Sequence, residues 1–296
     1  MLYIFYILRG LTMSIDQSMH MPIRWIVSDV DGTLLDTHQQ ISPYIQQRIR
    51  TFTERGGYFT LATGRSLMSV QPFIELLHLT NPLILYNGAK IYDPLQACFL
   101  EEQFVSKSHV QWIFNHYYSI RQPFDLDLLV FHQEQIYCTR ITPRIQCWID
   151  KEQVEVQVIT LMGLEHIAEQ ITKMMLLGEP ESLTLFQQQI EFLNTVKSEH
   201  DILEILPFGI NKGTALQQLI TMTGSQPDEV LAVGDHLNDV EMIKLAGHGV
   251  AMQNAHSDLK QVANWITVKT NNEEALVEII DHVEQSWTEQ YNPVIR

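Results

Sequence analysis

The sequence predicts an α/β protein with a doubly wound, Rossmann-like parallel sheet and an α+β cap domain inserted into it. From residue 23 onward, and again after Pro207, short apolar runs alternate with amphipathic helical patterns. This alternation is typical of a parallel sheet covered by helices. Between the two stretches the pattern changes to several short extended runs with two helices among them. A second unit inserted into the first accounts for this change, and 296 residues are enough for two domains.

The first stretch is predicted to hold buried strands and helices in alternation. Ser42 and Pro43 are typical of a helix N-cap and of a first helical turn. Ser66 begins a second helix, in which apolar residues recur at the spacing of a buried face. The predicted strands are the apolar runs Trp25–Ser28, Tyr58–Ala62 and Leu83–Tyr86.

The insertion is predicted to contain helices near residues 106–119 and 181–194. Its extended runs are Lys90–Tyr92, Leu126–Phe131, Val154–Ile159, Lys173–Leu177 and Ile202–Ile205. After the insertion, a helix follows Lys212 and stops at Gly224, and Val230–Val233 forms another strand. The last helix carries its apolar residues on one face, at Leu276, Ile279, Ile280 and Val283.

These patterns divide the chain into a core, residues 22–88 and 206–296, and an inserted cap, residues 89–205. Residues 1–21 are expected to be a leader that is disordered or that results from an upstream start site. Its apolar run, Leu2–Leu8, is too short for a membrane span and is followed, not preceded, by Arg9. A membrane-targeting role for the leader is the alternative.

The charge and the cysteine content exclude some classes of partner. The formal net charge is -16, whereas nucleic acids and anionic membranes are bound by basic surfaces. We therefore expect no nucleic-acid partner and no stable membrane association. The three cysteines, Cys98, Cys138 and Cys147, follow no metal-ligand spacing and cannot all pair within one chain. This favours a reducing, cytoplasmic location.

Two clusters of carboxylates follow directly on predicted strands. Asp29 and Asp31 come after the first strand, and Asp235 and Asp239 come after Val230–Val233. The carboxyl ends of parallel strands are where open α/β sheets bind ligands. Carboxylates that converge there repel one another unless a cation lies between them or they share a proton, and an oxygen-rich site suits Mg²⁺. The alternative for the first cluster is an ordinary capped turn, and for the second it is a turn followed by an acidic helix N-terminus.

Two loops carry groups that suit a phosphate. Thr63-Gly64-Arg65 lies between a strand and a helix, where a hydroxyl and free backbone N–H groups can bind an oxyanion. Lys212 opens another helix and offers a cation for a transferring phosphoryl group. Each loop is common on its own, and their order along the chain is what points to a phosphate site.

In this order the motifs resemble the haloacid dehalogenase (HAD) superfamily, and most of all its Cof-type phosphatases with a large α/β cap. The resemblance extends from about residue 23 to the end of the chain. The segments that carry it are Asp29-Val30-Asp31-Gly32-Thr33-Leu34, Thr63-Gly64-Arg65, Asn87-Gly88, Asn211-Lys212-Gly213, Gly234-Asp235-His236-Leu237-Asn238-Asp239 and Gly249-Val250-Ala251-Met252-Gln253-Asn254-Ala255. In the last of these, Gln253 stands where the family usually has a glycine.

The resemblance implies a role for each matching residue. It implies that Asp29 is the nucleophile and that Asp31 is the general acid and base. It implies that Mg²⁺ is held by the Asp29 carboxylate, the Asp31 backbone carbonyl and Asp235. The phosphate-binding positions that it implies are Val30, Thr63, Gly64, Lys212 and Asn238.

Two further residues are expected to support the nucleophile, the metal ligands and the phosphate-binding residues without being among them. Asp239 would orient Lys212 or a metal-bound water. Arg65 would be either an outer phosphate contact or a structural partner of an acidic residue, and the sequence leaves both roles open.

The implied activity is Mg²⁺-dependent hydrolysis of a small phosphorylated metabolite, a sugar phosphate or a phosphorylated cofactor precursor, through an aspartyl-phosphate. The alternatives are a phosphoryl-transferring mutase on the same core and a non-catalytic protein that binds phosphometabolites. A non-catalytic relative should have lost Asp29, Asp31, Lys212 or Asp235, and all four are present. The sequence does not identify the metabolite, the cap residues that select it, or the oligomeric state.

Overall fold

The computed structural model describes residues 22–291, so the predicted leader at residues 1–21 lies outside the described residues. The elements before the second unit are β1 (Trp25–Ser28), α1 (Pro43–Glu54), β2 (Tyr58–Leu61), α2 (Leu67–Leu77), β3 (Leu83–Leu85), β4 (Lys90–Asp93) and β5 (Cys98–Glu102). The second unit contains α3 (Lys107–Phe124), β6 (Asp127–His132), β7 (Gln135–Cys138), α4 (Pro143–Glu152), β8 (Gln157–Val158), α5 (Leu161–His166), β9 (Ile171–Leu177), α6 (Pro180–Gln189), β10 (Asn194–Glu199) and β11 (Ile202–Leu206). The chain then continues through α7 (Lys212–Thr223), β12 (Val230–Gly234), α8 (Val240–Leu245), β13 (His248–Ala251), α9 (Ser257–Val262), β14 (Trp265–Ile266) and α10 (Ala275–Tyr291).

The core sheet is parallel, and β1 lies inside it. Its strand order is β14-β13-β12-β1-β2, and a parallel bridge between Ala62 and Ile84 places β3 beside β2. The last residue of β1, Ser28, lies opposite Val233 of β12 and Leu61 of β2. The carboxyl ends of these three strands therefore meet at one edge of the sheet. The predicted α/β class, with a parallel core and a separate cap sheet, is confirmed.

A hairpin leads the chain out of the core sheet. The strands β4 and β5 form an antiparallel sheet with β3, in which Leu83 lies opposite Tyr92. The sequence places the extended run Lys90–Tyr92 in the insertion, whereas its backbone pairs with a core strand. The second unit is thus connected to the core sheet by hydrogen-bonded backbone on this side.

The second unit is built on a six-stranded sheet of order β10-β11-β9-β6-β7-β8. Neighbouring strands run antiparallel except β7 and β8. In β9, Met174 and Leu176 pack into a hydrophobic cluster formed within the second unit, whereas Met175 and Leu177 pack with the core cluster. Successive side chains of a strand point to opposite faces. Lys173 therefore shares the core-facing side of the sheet with Met175.

Two predicted elements of the second unit differ from the structure. The helix expected at residues 181–194 ends at Gln189, and Asn194 already begins β10. The chain leaves the helix because Ile190 and Leu193 pack into the second unit's hydrophobic cluster from a turn. The strand expected at Val154–Ile159 is also shorter, at Gln157–Val158.

Candidate active site

Backbone hydrogen bonds bring the motif loops together at the carboxyl ends of β1, β2 and β12. The Asp29 N–H donates to the Val233 carbonyl at 2.9 Å, which ties the loop after β1 to β12. The Thr63 N–H donates to the Ile84 carbonyl, and the Asn87 N–H donates to the Thr63 carbonyl, both at 2.9 Å. These bonds fix the backbone from which the predicted site residues project.

Lys212 lies between two acidic residues and is fully buried. Its ammonium donates to Asp29 Oδ1 at 2.6 Å and to Asp239 Oδ1 at 2.7 Å. The side chain of Asn211 caps the helix that Lys212 begins, by accepting the Thr214 N–H at 2.9 Å. A charge can be buried at this depth only when it is paired. The structure thus places Asp239 in direct contact with Lys212, and Lys212 in direct contact with Asp29.

Burial shifts the pKa values of these groups. It raises the pKa of Asp29 to about 7, although the positive charge of Lys212 acts against it. Burial also raises the pKa of Asp235 to about 8, and repulsion by Asp29 and Asp239 adds to the effect. Burial alone would lower the pKa of Lys212, but Asp239 and Asp29 outweigh it and raise that pKa. The site therefore contains carboxylates that need a further cation to be ionised together.

Three of these carboxylates fit a metal ion. Asp29, Asp235 and Asp239 each offer an oxygen within 4.8 Å of the others. Both Asp239 oxygens are engaged, since Oδ2 accepts the N–H groups of Asp235 and His236 at 3.1 and 3.0 Å. By contrast, Asp29 Oδ2 is buried and has no hydrogen-bond partner among residues 22–291. Oxygen donors of this kind suit Mg²⁺, and Asp29 and Asp235 are the carboxylates with free capacity.

Gly32 lets the loop after β1 approach Asp235. Its φ is +77°, in the left-handed region that favours glycine. A Cβ at this position would lie 2.2 Å from Asp235 Oδ2, so any other residue would displace that carboxylate. The Gly32 carbonyl also accepts the Asn254 side-chain amide at 2.7 Å. The loop after β1 is thus shaped around Asp235.

Arg65 holds Asp31 outside the cluster of three carboxylates. The Arg65 Nε and Nη2 donate to Asp31 Oδ2 and Oδ1 at 2.8 and 2.7 Å, a bidentate pair. Arg65 Nη1 also lies 3.6 Å from Glu152 Oε2 of the second unit. Burial would raise the pKa of Asp31, but the hydrogen bonds and the charge of Arg65 outweigh it and lower that pKa. Of the two roles that the sequence leaves open for Arg65, pairing with an acidic residue is the contact present here.

The expected phosphate-binding residues gather around Asn87. The Asn238 side-chain amide donates to Asn87 Oδ1 at 3.0 Å. A Cβ on Gly64 would lie 2.9 Å from Asn87 Nδ2, so the glycine permits this close approach. Thr63 is buried at the start of the same loop, and the Val30 side chain packs into the core cluster. Thr63, Gly64 and Asn238 are brought together, whereas the Val30 side chain points away from them.

A buried ion pair from the second unit reaches the same loops. Lys173 Nζ donates to the Gly64 carbonyl at 2.8 Å and to Glu204 Oε1 at 2.9 Å. Glu204 Oε2 accepts from Asn87 Nδ2 at 2.8 Å. Lys173 and Glu204 are nearly fully buried. The second unit is therefore hydrogen-bonded to the loop that contains Thr63 and Gly64.

Sequence reasoning missed these residues of the second unit. Lys173 and Glu204 each stand in a mostly apolar strand, and a charge in such a run has to be paired when it is buried. That pattern could have identified them as partners. Two glutamates of the second unit that line the cavity described below, Glu152 and Glu199, could not be identified in this way, because they stand among other polar residues.

A narrow cavity of about 80 Å³ lies between the core loops and the second unit. The second unit contributes Phe131, Trp148, Glu152, Lys173, Met175, Ser198, Glu199 and Ile202 to its lining. The core contributes Asp29, Asp31, Thr63, Gly64, Arg65, Ser66, Ser69, Asp235, His236 and Asn238. Small-molecule sites usually have volumes of about 300–1,000 Å³, so the space between the core loops and the second unit is small for a ligand site.

Comparison with known proteins identifies the family. Residues 26–280 match the family model of haloacid dehalogenase-like hydrolases. The 5-amino-6-(5-phospho-D-ribitylamino)uracil phosphatase YcsE of Bacillus subtilis is 30% identical over 262 residues, which cover 88% of this chain and 95% of the relative. The HMP-PP phosphatase of Serratia proteamaculans is 29% identical over 280 residues, which cover 88% of this chain and 93% of the relative.

Solved structures agree with this result. A haloacid dehalogenase-like hydrolase from Bacteroides thetaiotaomicron has a TM-score of 0.77 at 26% identity, and the match covers 88% of this chain and 99% of that chain. One from B. subtilis has a TM-score of 0.78 at 25% identity, with the same coverage of 88% and 99%.

The fold and the site define a hydrolase of phosphoric monoesters. The chain belongs to the haloacid dehalogenase-like hydrolase family, and the resemblance to Cof-type phosphatases found in its motifs is confirmed. Within residues 22–291, no helix is both long enough and apolar enough to cross a membrane.

Proposed function

We propose that this chain is a Mg²⁺-dependent phosphatase that hydrolyses a small phosphorylated metabolite through an aspartyl-phosphate on Asp29. The observation that carries the proposal is the state of the Asp29 carboxylate. It is buried, Lys212 holds one of its oxygens, and its other oxygen has no partner among the described residues. A carboxylate oriented in this way beside a cation is suited to nucleophilic attack.

The chemistry assigned to the chain has two displacements at phosphorus. In the first, an oxygen of Asp29 forms a bond to phosphorus while the bond to the ester oxygen breaks. Asp31 lines the same cavity and gives a proton to the departing oxygen, which requires that Asp31 is protonated and released from the pair with Arg65 that lowers its pKa. In the second, water attacks phosphorus, Asp31 takes the proton of that water, and inorganic phosphate and free Asp29 are released. Lys212, held by Asp239, keeps the Asp29 carboxylate in position throughout.

Asp29, Asp235 and the backbone carbonyl of Asp31 would hold the metal. Mg²⁺, when bound, keeps these carboxylates ionised and offsets the negative charge of the phosphoryl oxygens. Lys212 and the loop of Thr63 and Gly64, together with the backbone of Val30 and the amide of Asn238, would bind the phosphate. Asp239 and Arg65 would then act by positioning Lys212 and Asp31.

The two alternatives have less support. Relatives of this chain are named as phosphatases, and the name of the B. subtilis relative specifies a small phosphorylated compound. A sugar phosphate or a phosphorylated cofactor precursor is therefore the substrate class we favour over the substrate of a mutase. A non-catalytic role is disfavoured because Asp29, Asp31, Lys212 and Asp235 all line or support one cavity.

We also propose the division into a core, residues 22–88 and 206–296, and a cap, residues 89–205. A hydrophobic cluster formed within the second unit supports a cap with its own core. The three cysteines are free, which supports a cytoplasmic location. The net charge of -16 supports a small metabolite as the partner, with no nucleic acid and no stable membrane association.

The test is Asp29→Asn, which keeps the shape of the side chain and removes the nucleophile. We expect hydrolysis of p-nitrophenyl phosphate to fall by about 10³–10⁴-fold or more, with an unchanged circular dichroism spectrum. Asp258→Asn is the control, since the Asp258 side chain is exposed on the core. EDTA should silence the wild-type enzyme and Mg²⁺ should restore it. Near-wild-type turnover by Asp29→Asn would contradict the proposal.

A further inference from the structure

The cations that line the cavity are already paired. Among the described residues, Arg65 and Lys173 are the arginine and lysine side chains in its lining. Arg65 forms a bidentate pair with Asp31, and Lys173 pairs with Glu204. A second anionic group on a substrate would therefore find no unpaired lysine or arginine in this lining.

Two carboxylates of the cap line the same cavity. Glu152 is the last residue of α4 and Glu199 is the last residue of β10. The Glu152 side chain is 10% exposed, and Arg65, which already binds Asp31 at closer range, lies 3.6 Å from it. The charges of Lys151 and Lys173 also act on Glu152. Glu199 is more open, at 38% exposed, and accepts from Lys151 at 2.5 Å. The cap thus presents acceptors of hydrogen bonds to the substrate.

Two aromatic side chains of the cap line the same cavity. Trp148 and Phe131 pack edge to face, with ring centroids 6.2 Å apart. The Lys173 ammonium lies over the Phe131 ring, 4.7 Å from its centroid. A substrate between these rings and the two carboxylates would be recognised by contact with carbon and by hydrogen bonding, not by charge attraction.

We propose that Glu152 and Glu199 are specificity-determining residues, which select a monophosphate ester whose remaining part carries hydroxyl or amino groups and no second anionic group. Carboxylate oxygens accept hydrogen bonds from hydroxyl and ammonium groups, whereas a carboxylate or second phosphate placed beside them is repelled. The inference rests on the proposed phosphatase function and extends it to the charge of the substrate.

The test uses three aryl phosphates that differ in one remote substituent. These are phenyl phosphates with an aminomethyl, a hydroxymethyl or a carboxylate group in the para position. The measured quantity is kcat/KM for each ester in the wild type, in Glu152→Gln and in Glu199→Gln. Glu169→Gln is the matched control, because Glu169 is a cap glutamate that pairs with Lys107 at 2.6 Å and lies outside the cavity lining.

We expect the wild type to hydrolyse the carboxylate ester at least about tenfold less efficiently than the hydroxymethyl ester. The aminomethyl ester should be hydrolysed at least as well as the hydroxymethyl ester. Glu152→Gln and Glu199→Gln should each reduce the discrimination against the carboxylate ester by about threefold or more, while Glu169→Gln should leave it unchanged. If Glu152→Gln fails to fold, Glu199→Gln decides the matter, because the Glu199 side chain is partly exposed.

Equal hydrolysis of the carboxylate and hydroxymethyl esters by the wild type would overturn the inference. So would an unchanged ratio in Glu199→Gln, or an equal loss of discrimination in Glu169→Gln, which would indicate the field of the whole chain. These outcomes are distinct from failure of the proposed function. That failure would appear as an absence of hydrolysis of p-nitrophenyl phosphate by the wild type itself.

Discussion

The core and the cap hold their buried charges in different ways. In the core, Lys212 joins Asp29 and Asp239 in one cluster whose hydrogen bonds stay within the core. In the cap, Lys173 and Glu204 pair with each other and direct further hydrogen bonds across to Gly64 and Asn87 of the core. The core cluster makes its hydrogen bonds without the cap and leaves one oxygen, Asp29 Oδ2, without a partner among the described residues. The cap pair completes its hydrogen bonds only against the core.

This difference indicates that the core cluster serves the reaction, whereas the cap pair holds the cap against the core. A second polar contact follows the same pattern, since Glu134 of the cap accepts from the hydroxyl of Tyr86 in the core at 2.7 Å. Hydrogen bonds of this kind can be exchanged for hydrogen bonds to water when the cap opens. We therefore expect changes in the core cluster to abolish the reaction and changes in the cap pair to weaken substrate binding.

The largest effect is expected for Lys212→Met. It leaves Asp29 and Asp239 buried without their cation, and it should lower kcat by about 10³-fold and the free energy of unfolding by about 3–5 kcal/mol. Phosphate release and urea denaturation measure the two effects. Lys244→Met is the control, because Lys244 makes an exposed pair with Glu241 at 3.3 Å. A Lys212→Met enzyme with near-normal kcat would show that the core cluster is not the reacting centre.

A smaller effect is expected in the cap. Lys173→Met should destabilise the protein by about 3 kcal/mol, because Glu204 is left buried and unpaired. Adding Glu204→Met should recover much of that stability, since the unpaired charge is gone. The double variant should still have kcat/KM about tenfold below the wild type, mainly through KM, because the hydrogen bonds to Gly64 and Asn87 are lost. Full recovery of kcat/KM in the double variant would mean that these hydrogen bonds do not help to close the cap.

The smallest effect is a dependence of stability on pH in the metal-free protein. The pKa values of Asp29 and Asp235 are raised to about 7 and about 8 in the folded chain. A raised pKa contributes stability that is fully present below the unfolded value and is lost as the pH rises through the folded value. The Tm in EDTA should therefore fall as the pH is raised from about 5 to 8, on the order of a few degrees.

If the ionised carboxylates bind Mg²⁺ as proposed, Mg²⁺ should largely remove this fall. Differential scanning fluorimetry with EDTA and with Mg²⁺ measures both curves, and Asp235→Asn should flatten the curve in EDTA. A Tm in EDTA that rises over this pH range would contradict the assignment of buried, mutually repelling carboxylates.

The core side of the site could be predicted because its residues stand directly after strands. Asp29 follows β1 and Asp235 follows β12, and adjacent parallel strands bring their carboxyl ends together whatever the details of packing. The location of such a residue in the fold can therefore be predicted from the strand that precedes it in the sequence. The bidentate contact of Arg65 with Asp31 is different, because it depends on the direction of two long side chains, and the sequence left the role of Arg65 open.

The cap side could not be predicted in the same way. Lys173 faces the core because of the register of β9, and a slip of one residue would turn it to the other face. That register is set by pairing with distant strands, for example Met175 opposite Glu204, which no local pattern encodes. The strand β10 was also missed, since its residues are all half-buried and show no apolar alternation.

The most direct test of the account is to trap the covalent intermediate on Asp29. Asp31→Asn lacks the base for the second displacement, so the aspartyl-phosphate should accumulate in this variant when p-nitrophenyl phosphate and Mg²⁺ are added. Borohydride reduces an acyl phosphate to an alcohol, which converts the aspartate to homoserine, and mass spectrometry of the digested protein locates the change. We predict homoserine at position 29 only when substrate is present. Release of phosphate with position 29 unmodified, or reduction at Asp235 instead, would contradict the central claim that Asp29 is the nucleophile.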